Sequence, residues 1–486
     1  MLILAILLVP VAMTLLAASV SWHPWVGWAS AAASAAVLGL GVALCVATMK
    51  APEVALHGAL RADSLSAFMV VVIGTVSLLA TLFTPRTMSQ EMQSGVTSAR
   101  YARHYVVLME IFITCMLLAV VSANLGVLWV SIEATTIATT FLVSHRRTDG
   151  AFEASWKYLL LCSVGIAVAF LGTVLIYYAE LHVGGSAHSS SLDWTSVMSV
   201  AHHLNPNVTR LAFALLVVGY GTKVGLVPMH SWLPDAHSQS PAPVSALMSG
   251  VLLTVAFYGL LRFRAIAVAA LGTTYPRTLL LVAGILSLLL ASAMLITQRD
   301  LKRMLAYSSI EHMGLLVIGA AVGTPLAIAA VLLHVLGHGI TKAVLFLSSG
   351  EIYFLEGTTE IAKLSSLLSR RPVLGGVFGF ALMSLVAFPP FSLFVSELSM
   401  ARAEVDAGLW WVVAISLGCL GVIFASLTRH ARQMLTGTPS GTEVGATTAR
   451  SVAVPLIGAL VICAVLGTVS WPLQSLLAHA AHGAMP

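Results

Sequence analysis

The sequence predicts an all-α integral membrane protein of about fourteen transmembrane helices, and three observations carry that prediction. Of 486 residues, 58% are apolar and only 9% are charged, with a mean hydropathy of +0.96. Soluble domains hold about 45–50% apolar and about 25% charged residues. A chain of this make-up lacks the polar surface to cover a water-soluble globule. Second, fourteen apolar runs long enough to cross a hydrocarbon core recur along the chain. Third, the Lys and Arg residues fall almost wholly between those runs.

The runs are 2–20, 26–48, 65–84, 105–122, 124–143, 158–179, 209–228, 243–263, 279–297, 304–322, 326–349, 373–395, 409–428 and 452–470. The opening MLILAILLVP has neither a basic flank nor a small-residue cleavage site, so it is expected to be a retained span and not a signal peptide. With an even number of spans both termini share a side, and seven loop Lys/Arg fall on that side against fifteen on the other. The positive-inside rule then makes the richer face cytoplasmic and puts both termini outside. Arg146, Arg147 and Lys157 are expected to be solvated loop charges on that cytoplasmic face. The net charge of +5 and pI near 9.0 are expected to reflect basic loops against an anionic leaflet, not nucleic-acid binding.

Five cysteines, Cys45, Cys115, Cys162, Cys419 and Cys463, sit singly in apolar runs without a C-x-x-C, which argues against disulfides, structural zinc and an Fe–S cluster. A Gly/Ser/His-rich outer loop is expected over 180–207 and a flexible connector over 436–450. No nucleotide or hydrolase motif is present, so no cofactor and no soluble catalytic module are expected.

Two Lys/Arg residues, Lys223 and Lys342, fall in the interior of spans and not at their edges. A Lys or Glu at mid-span costs roughly 2.5–3.5 kcal/mol on insertion scales, which makes such residues functional candidates. The seventh run reads GYGTKVGLVPMHSWLPDAHSQSPAP and the twelfth FGFALMSLVAFPPFSLFVSELSM, each broken by proline beside a charge. Freed carbonyls are tolerated in a bilayer only where protein or water satisfies them. Two broken spans five apart suggest inverted repeats with ion paths at the breaks.

Glu133, mid-span in the fifth run, is expected to pair with Lys223 if the two helices pack. His334, His338 and Lys342 recur every four residues, about 6 Å of rise per step, and form a stripe on one helix face suited to proton relay in the membrane plane. Glu397 follows the second break and is expected to receive the proton. His230, His237, Glu311, His312 and Glu110 are second-tier candidates. A zinc reading of His334-x-x-x-His338 has no third ligand in the sequence and sets Lys342 beside the cation, so no metal is expected.

The segments GTKVGLVPMHSWLPDAHSQSPAPVSALMSG, LKRMLAYSSIEHMGLLVIG and HVLGHGITKAVLFLSSG resemble signatures of the antiporter-like subunits of respiratory complex I. That superfamily includes Mrp-type Na⁺/H⁺ antiporters and the membrane arms of group 4 NiFe hydrogenases. The likeness covers roughly residues 100–430. LWVSIEATTIATTFLVSHRR followed by EASWKYLLLCSVGIAVAFLGTVLIYYA looks most like the F subunit of hydrogenase-4, formate hydrogenlyase type. The resemblance implies fourteen helices with inverted five-helix repeats at spans 4–8 and 9–13, and discontinuous helices 7 and 12. It divides the chain into N-terminal helices (1–100), two repeats (101–265 and 266–430) and a connector with helix 14 (431–486).

By motif match, Glu133 and Lys223 take the places of the family's glutamate and lysine on spans 5 and 7, and His334, His338 and Lys342 those of the central relay. Glu397 matches the glutamate some members carry on span 12. One departure is Thr254, where certain complex I members have a span-8 lysine. Another is the long C-terminal lateral helix of one complex I subunit, for which no counterpart is expected after span 14. The implied role is a non-catalytic, proton-translocating subunit of a redox-driven complex in a bacterial or archaeal cytoplasmic membrane. Its implied partners are other membrane subunits and, through them, a soluble hydrogenase or redox module. The alternatives are a complex I or Mrp-type subunit, with Na⁺ as a possible coupling ion, and an accessory subunit of a bicarbonate-uptake complex.

Overall fold

A computed structural model describes residues 1–183, 192–437, 448–469 and 471–485. In chain order its helices are α1 (Leu2–Ser19), α2 (Pro24–Thr48), α3 (Ser64–Gln93), α4 (Ala99–Val121), α5 (Leu125–Val143), α6 (Asp149–Leu181), α7 (Trp194–Ser199), α8 (Pro206–Val224), α9 (Trp232–Gln239) and α10 (Ala242–Leu247). A π-helical segment, Met248–Leu252, joins α10 to α11 (Leu253–Leu271). The remainder are α12 (Thr274–Ile296), α13 (Leu301–Val322), α14 (Pro325–Glu356), α15 (Leu367–Arg370), α16 (Pro372–Leu385), α17 (Ser392–Asp406), α18 (Trp410–Leu435), α19 (Arg450–Thr468) and α20 (Trp471–Gly483). A short antiparallel hairpin, β1 (Glu53–Ala55) with β2 (Leu60–Ala62), precedes α3.

Twelve helical stretches are long and apolar enough to cross a membrane, the α10–α11 run counting as one. Two further pairs, α8 with α9 and α16 with α17, are interrupted where the prolines predicted it, at Gly225–Ser231 and Val386–Phe391. The helix starts follow local chemistry. Asn124, Thr148, Asn205, Asp300 and Thr324 each accept a backbone N–H in the first turn of α5, α6, α8, α13 and α14. Prolines occupy the first helical position of α8, α14 and α16, where no N–H is needed.

Both breaks are satisfied by protein, as a bilayer demands. At the first, Gly225 takes a left-handed φ of 85°, the Thr222 carbonyl accepts from the Trp232 indole at 2.9 Å, and the Val227 N–H donates to Ser287 Oγ on α12 at 3.0 Å. At the second, Ala387 takes a φ of 52°, and the N–H groups of Ala387 and Phe388 turn back to the Ser384 and Met383 carbonyls.

The core lies at the centre of the bundle. The membrane windows of α10–α11, α13 and α14 are wholly buried, whereas those of α1, α18 and α19 are about one-third buried and expose Leu, Val and Phe outward. Helices meet through small residues, as they do where lipid gives no hydrophobic drive for association. A Cβ added at Gly219 of α8 would sit 2.4 Å from the Ala169 nitrogen of α6, and Gly250 and Gly339 face each other between the π segment and α14. The five cysteines are free.

Several expectations need correction. The hairpin, α7 within the outer loop and the terminal α20 were not foreseen, and residues 184–191 and 438–447 of the two expected loops lie outside the described residues. Arg262, Arg264 and Lys302, counted as loop charges, are buried. Arg262 pairs with Asp63 at 2.6 Å and donates to the Gly483 carbonyl, tying α11 to the start of α3 and to α20. The loop charge Arg146 binds Glu91 at 3.1 Å, and Lys157 binds Glu153 and Asp235.

Candidate proton-relay site

The functional candidates divide into two buried clusters. In the first, Lys223 is the penultimate residue of α8, two residues before the break, and is fully buried. Its Nζ donates to Thr136 Oγ1 at 2.8 Å and to Tyr158 Oη at 2.6 Å, lying 4.7 Å from the Tyr158 ring centre. Tyr158 Oη in turn shares a hydrogen bond of 2.6 Å with Thr139 Oγ1. Glu133 does not touch the lysine, contrary to the expected pairing. Its carboxylate accepts from Ser163 Oγ at 2.7 Å and from Thr136 Oγ1 at 3.3 Å, so Thr136 stands between the two charges. The reason is helix phase: α5 turns Thr136 toward α8 and Glu133, one turn earlier, toward the α5–α6 seam, where it is half-buried.

The second cluster forms where α13, α14 and α17 meet. Lys342 is fully buried, and its Nζ donates to the Leu305 carbonyl at 2.8 Å and to Ser308 Oγ of α13. Above it on α14 stand His338 and His334, both buried. α14 is one unbroken helix, so this stripe runs along its axis and not in the membrane plane as expected. Lateral extension comes from other helices. His312 Nδ1 of α13 lies 3.0 Å from His334 Nε2, His334 Nδ1 lies 3.0 Å from Ser396 Oγ of α17, and the His312 and His338 rings are 5.0 Å apart. One ligand-capable atom each from His312, His334 and Glu397 lie within 4.8 Å of one another. His312, a second-tier candidate by sequence, therefore sits in the middle of the group.

His237 belongs between the clusters. It is buried on α9, five residues after Trp232, whose ring packs 4.9 Å from that of Tyr158. The imidazole stacks at 4.8 Å on Phe346, one turn beyond Lys342, and neither ring nitrogen has a hydrogen-bond partner. Glu311, buried beside Lys342's helix contact, likewise leaves Oε2 unpartnered. His230 lies half-buried in the first break. Glu110 is not part of either cluster: it is buried between α2 and α4, accepting from Ser30 Oγ. Thr254 spends its hydroxyl on the Val251 carbonyl of its own helix, at 2.9 Å. Lys302 is the residue sequence reasoning missed. It donates to the Ser240 carbonyl at 2.8 Å just past α9, and its LKRML context reads as a loop charge until the fold covers it.

Residues 122–423 match the family described as NADH:quinone oxidoreductase/Mrp antiporter, TM. The chain belongs to this family. It is 36% identical over 379 residues, 78% of this chain and 79% of the relative, to a hydrogenase-4 component F homolog of Methylacidiphilum infernorum (isolate V4). It is 30% identical over 367 residues to hydrogenase-4 component B of Escherichia coli (strain K12), covering 72% of this chain but only 52% of that one. A chain in the structure of the membrane-bound sulfane sulfur reductase, an archaeal respiratory membrane complex, superposes over 99% of this chain and 96% of its own with a TM-score of 0.86. At 23% identity that likeness shows the fold. The protein is thus a multi-pass, antiporter-like membrane subunit whose relatives belong to multisubunit respiratory complexes.

Proposed function

We propose that this subunit moves protons through Lys223, His237, Lys342, His338, the His312–His334 pair and Glu397, in a hydrogenase-4-like membrane arm. The observation that carries the reading is shared by the two lysines. Each is fully buried, and each is held by hydroxyl or carbonyl oxygens and not by a carboxylate. An amine so held can release and regain a proton without stranding a buried counter-ion. Glu133, one hydroxyl removed from Lys223, modulates it electrostatically.

The order of broken and unbroken helices supports two repeats. Three unbroken helices, one broken and one unbroken run from α4 to α11, and the same order runs from α12 to α18. We take the two broken pairs as the seventh and twelfth of fourteen crossings, 101–265 and 266–430 as the repeats, and both termini as outside a bacterial or archaeal cytoplasmic membrane. The proton enters from the cytoplasm at Lys223, with His237 and water bridging to Lys342, and leaves past Glu397. Moving one charge against 100 mV takes about 2.3 kcal/mol. A unit charge at 4 Å supplies about 4 kcal/mol at an effective dielectric of 20, so a partner redox module can drive transfer by modest charge changes.

The test uses the complex assembled with Lys223→Met or Lys342→Met, reconstituted in vesicles, with acidification followed by a pH-sensitive dye. Methionine keeps the lysine's unbranched length without its charge, and thermal unfolding of each variant checks that the fold is kept. Both variants should abolish proton movement. Unchanged acidification in either would end the relay reading, and acidification that follows Na⁺ and not H⁺ would favour the cation-antiporter alternative.

A further inference from the structure

We propose that His312, His334 and Glu397 form a binding site for a single divalent transition-metal ion of the Zn²⁺ class, whose occupancy closes the relay. The inference rests on the proposed proton path for its consequence, but not for the site itself.

The sequence offers no such site, because its ligands lie on three helices. α13, α14 and α17 converge where Gly337 of α14 leaves no room for a Cβ against Ser392 of α17, whose Oγ would lie only 2.3 Å away. That contact sets His334 one turn away beside Ser396 and Glu397. The three ligand atoms already lie within 4.8 Å of one another, and the two imidazole nitrogens are 3.0 Å apart. Around tetrahedral zinc with metal–nitrogen bonds near 2.0–2.1 Å, ligand atoms are separated by about 3.3 Å. The pair therefore opens by only a few tenths of an ångström.

The surroundings suit the ion. Ser396 Oγ, 3.0 Å from His334 Nδ1, accepts that ring's proton and presents Nε2 to the site, as the outer partners of metal-bound histidines do. Glu397 supplies one negative charge to the site. Lys342 is eight residues down α14 from His334, and its ammonium is turned to Leu305 and to Ser308, one turn before His312 on α13, so the Glu397 carboxylate is what offsets its charge at the site. His338 has no partner at either ring nitrogen and lies 5.0 Å from His312, so it or a water fills the fourth position. Half-buried Glu397, beside the Val386–Phe391 break, is the point of entry. A two-nitrogen, one-carboxylate set selects zinc, cobalt or nickel over magnesium and calcium. On binding, the His312–His334 hydrogen bond is lost and any proton held by these three groups is released.

The experiment titrates Co²⁺ into the full-length protein in lipid nanodiscs, reading the visible absorption of tetrahedral cobalt and the protons released, then displaces it with Zn²⁺. One ion per chain is expected, unaffected by excess Mg²⁺. His312→Ala, His334→Ala and Glu397→Gln should each weaken binding more than tenfold, and Ser396→Ala about tenfold, with thermal unfolding confirming that each variant folds. His182→Ala, at an exposed histidine just past the end of α6, should bind as wild type. Absence of one-to-one binding, or binding that survives all three ligand changes, overturns the site. Zn²⁺ that binds there while acidification continues leaves the site standing and refutes the proton path. Lys variants that stop acidification without disturbing Co²⁺ binding keep both.

Discussion

The contact between α6 and α8 offers the sharpest test of how packing builds the first lysine site. Gly219 faces Ala169 so closely that an added Cβ would sit 2.4, 2.6 and 2.7 Å from its nitrogen, Cβ and Cα. Ordinary contact begins at 3.4 Å, so Gly219→Ala forces the helices about 1 Å apart, against backbone that cannot swing aside. Overpacking of this kind costs about 1–3 kcal/mol, which for a chain of this length predicts a melting point about 1–3 °C lower. It also reaches function. Tyr158 on α6 accepts from Lys223 on α8 at 2.6 Å, and a displacement of that size takes the bond beyond the 3.5 Å at which a hydrogen bond ceases to count. Thermal unfolding in detergent and vesicle acidification should therefore fall together. The control is Gly418→Ala on α18, where a Cβ meets nothing within 4 Å and the helix gains propensity. A Gly219→Ala protein with wild-type melting and transport, or a Gly418→Ala protein equally damaged, would refute this account.

Thr136→Val and Tyr158→Phe each leave the Lys223 ammonium one acceptor short, and at about 1.5 kcal/mol per charged hydrogen bond each should slow acidification roughly tenfold. Because the two share one donor, the double variant should lose less than the product, a cycle measurable in the same vesicles. Arg262→Ala strands the Asp63 carboxylate and removes a tie to α20, which should destabilise the fold by about 3–5 kcal/mol in thermal unfolding, with Asp63→Asn restoring part of it. Burial pushes the Asp63 carboxyl up, but the Arg262 charge and hydrogen bonds outweigh it and hold the group below its usual range. A depressed carboxylate contributes stability above its unfolded pKa of about 3.9 and loses it as pH falls, so wild type and Arg262→Ala should converge in acid.

What the sequence revealed and what it hid follow from the range of each interaction. Spans were legible because lipid imposes a composition on about twenty consecutive residues, and the breaks were legible because proline acts on its own helix. Their exact bounds were not: α6 begins at Asp149, nine residues before the apolar run, since a charged first turn costs nothing at the membrane surface. The stripe of His334, His338 and Lys342 was visible as a four-residue period on one helix. By contrast, His312 ranks only as a second-tier candidate until α13 is laid against α14. Glu133 was expected to pair with Lys223, but which of two residues one turn apart faces the lysine depends on a rotation of α5 that only packing sets. Lys302, Arg262 and Arg264 misled for the same reason. A cation at a span end looks solvated in one dimension, and only the third shows what covers it.

The two halves of the molecule reach one electrostatic solution by different placements. In the first, the broken helix itself brings the lysine, and the long unbroken α6 supplies the acceptors through Tyr158. In the second, the long unbroken α14 carries the lysine together with His334 and His338, and the broken partner contributes Ser396 and Glu397 instead. The positions of break and charge are therefore exchanged between halves while the surroundings of the lysines, buried hydroxyl and carbonyl oxygens, are kept. A static structural role would be better served by carboxylate pairs, such as those that hold Arg262 to Asp63 and Arg86 to Glu351 elsewhere in this chain. Among the described residues no carboxylate pairs with Lys223 or Lys342, which is what the proposed coming and going of charge at these two positions requires.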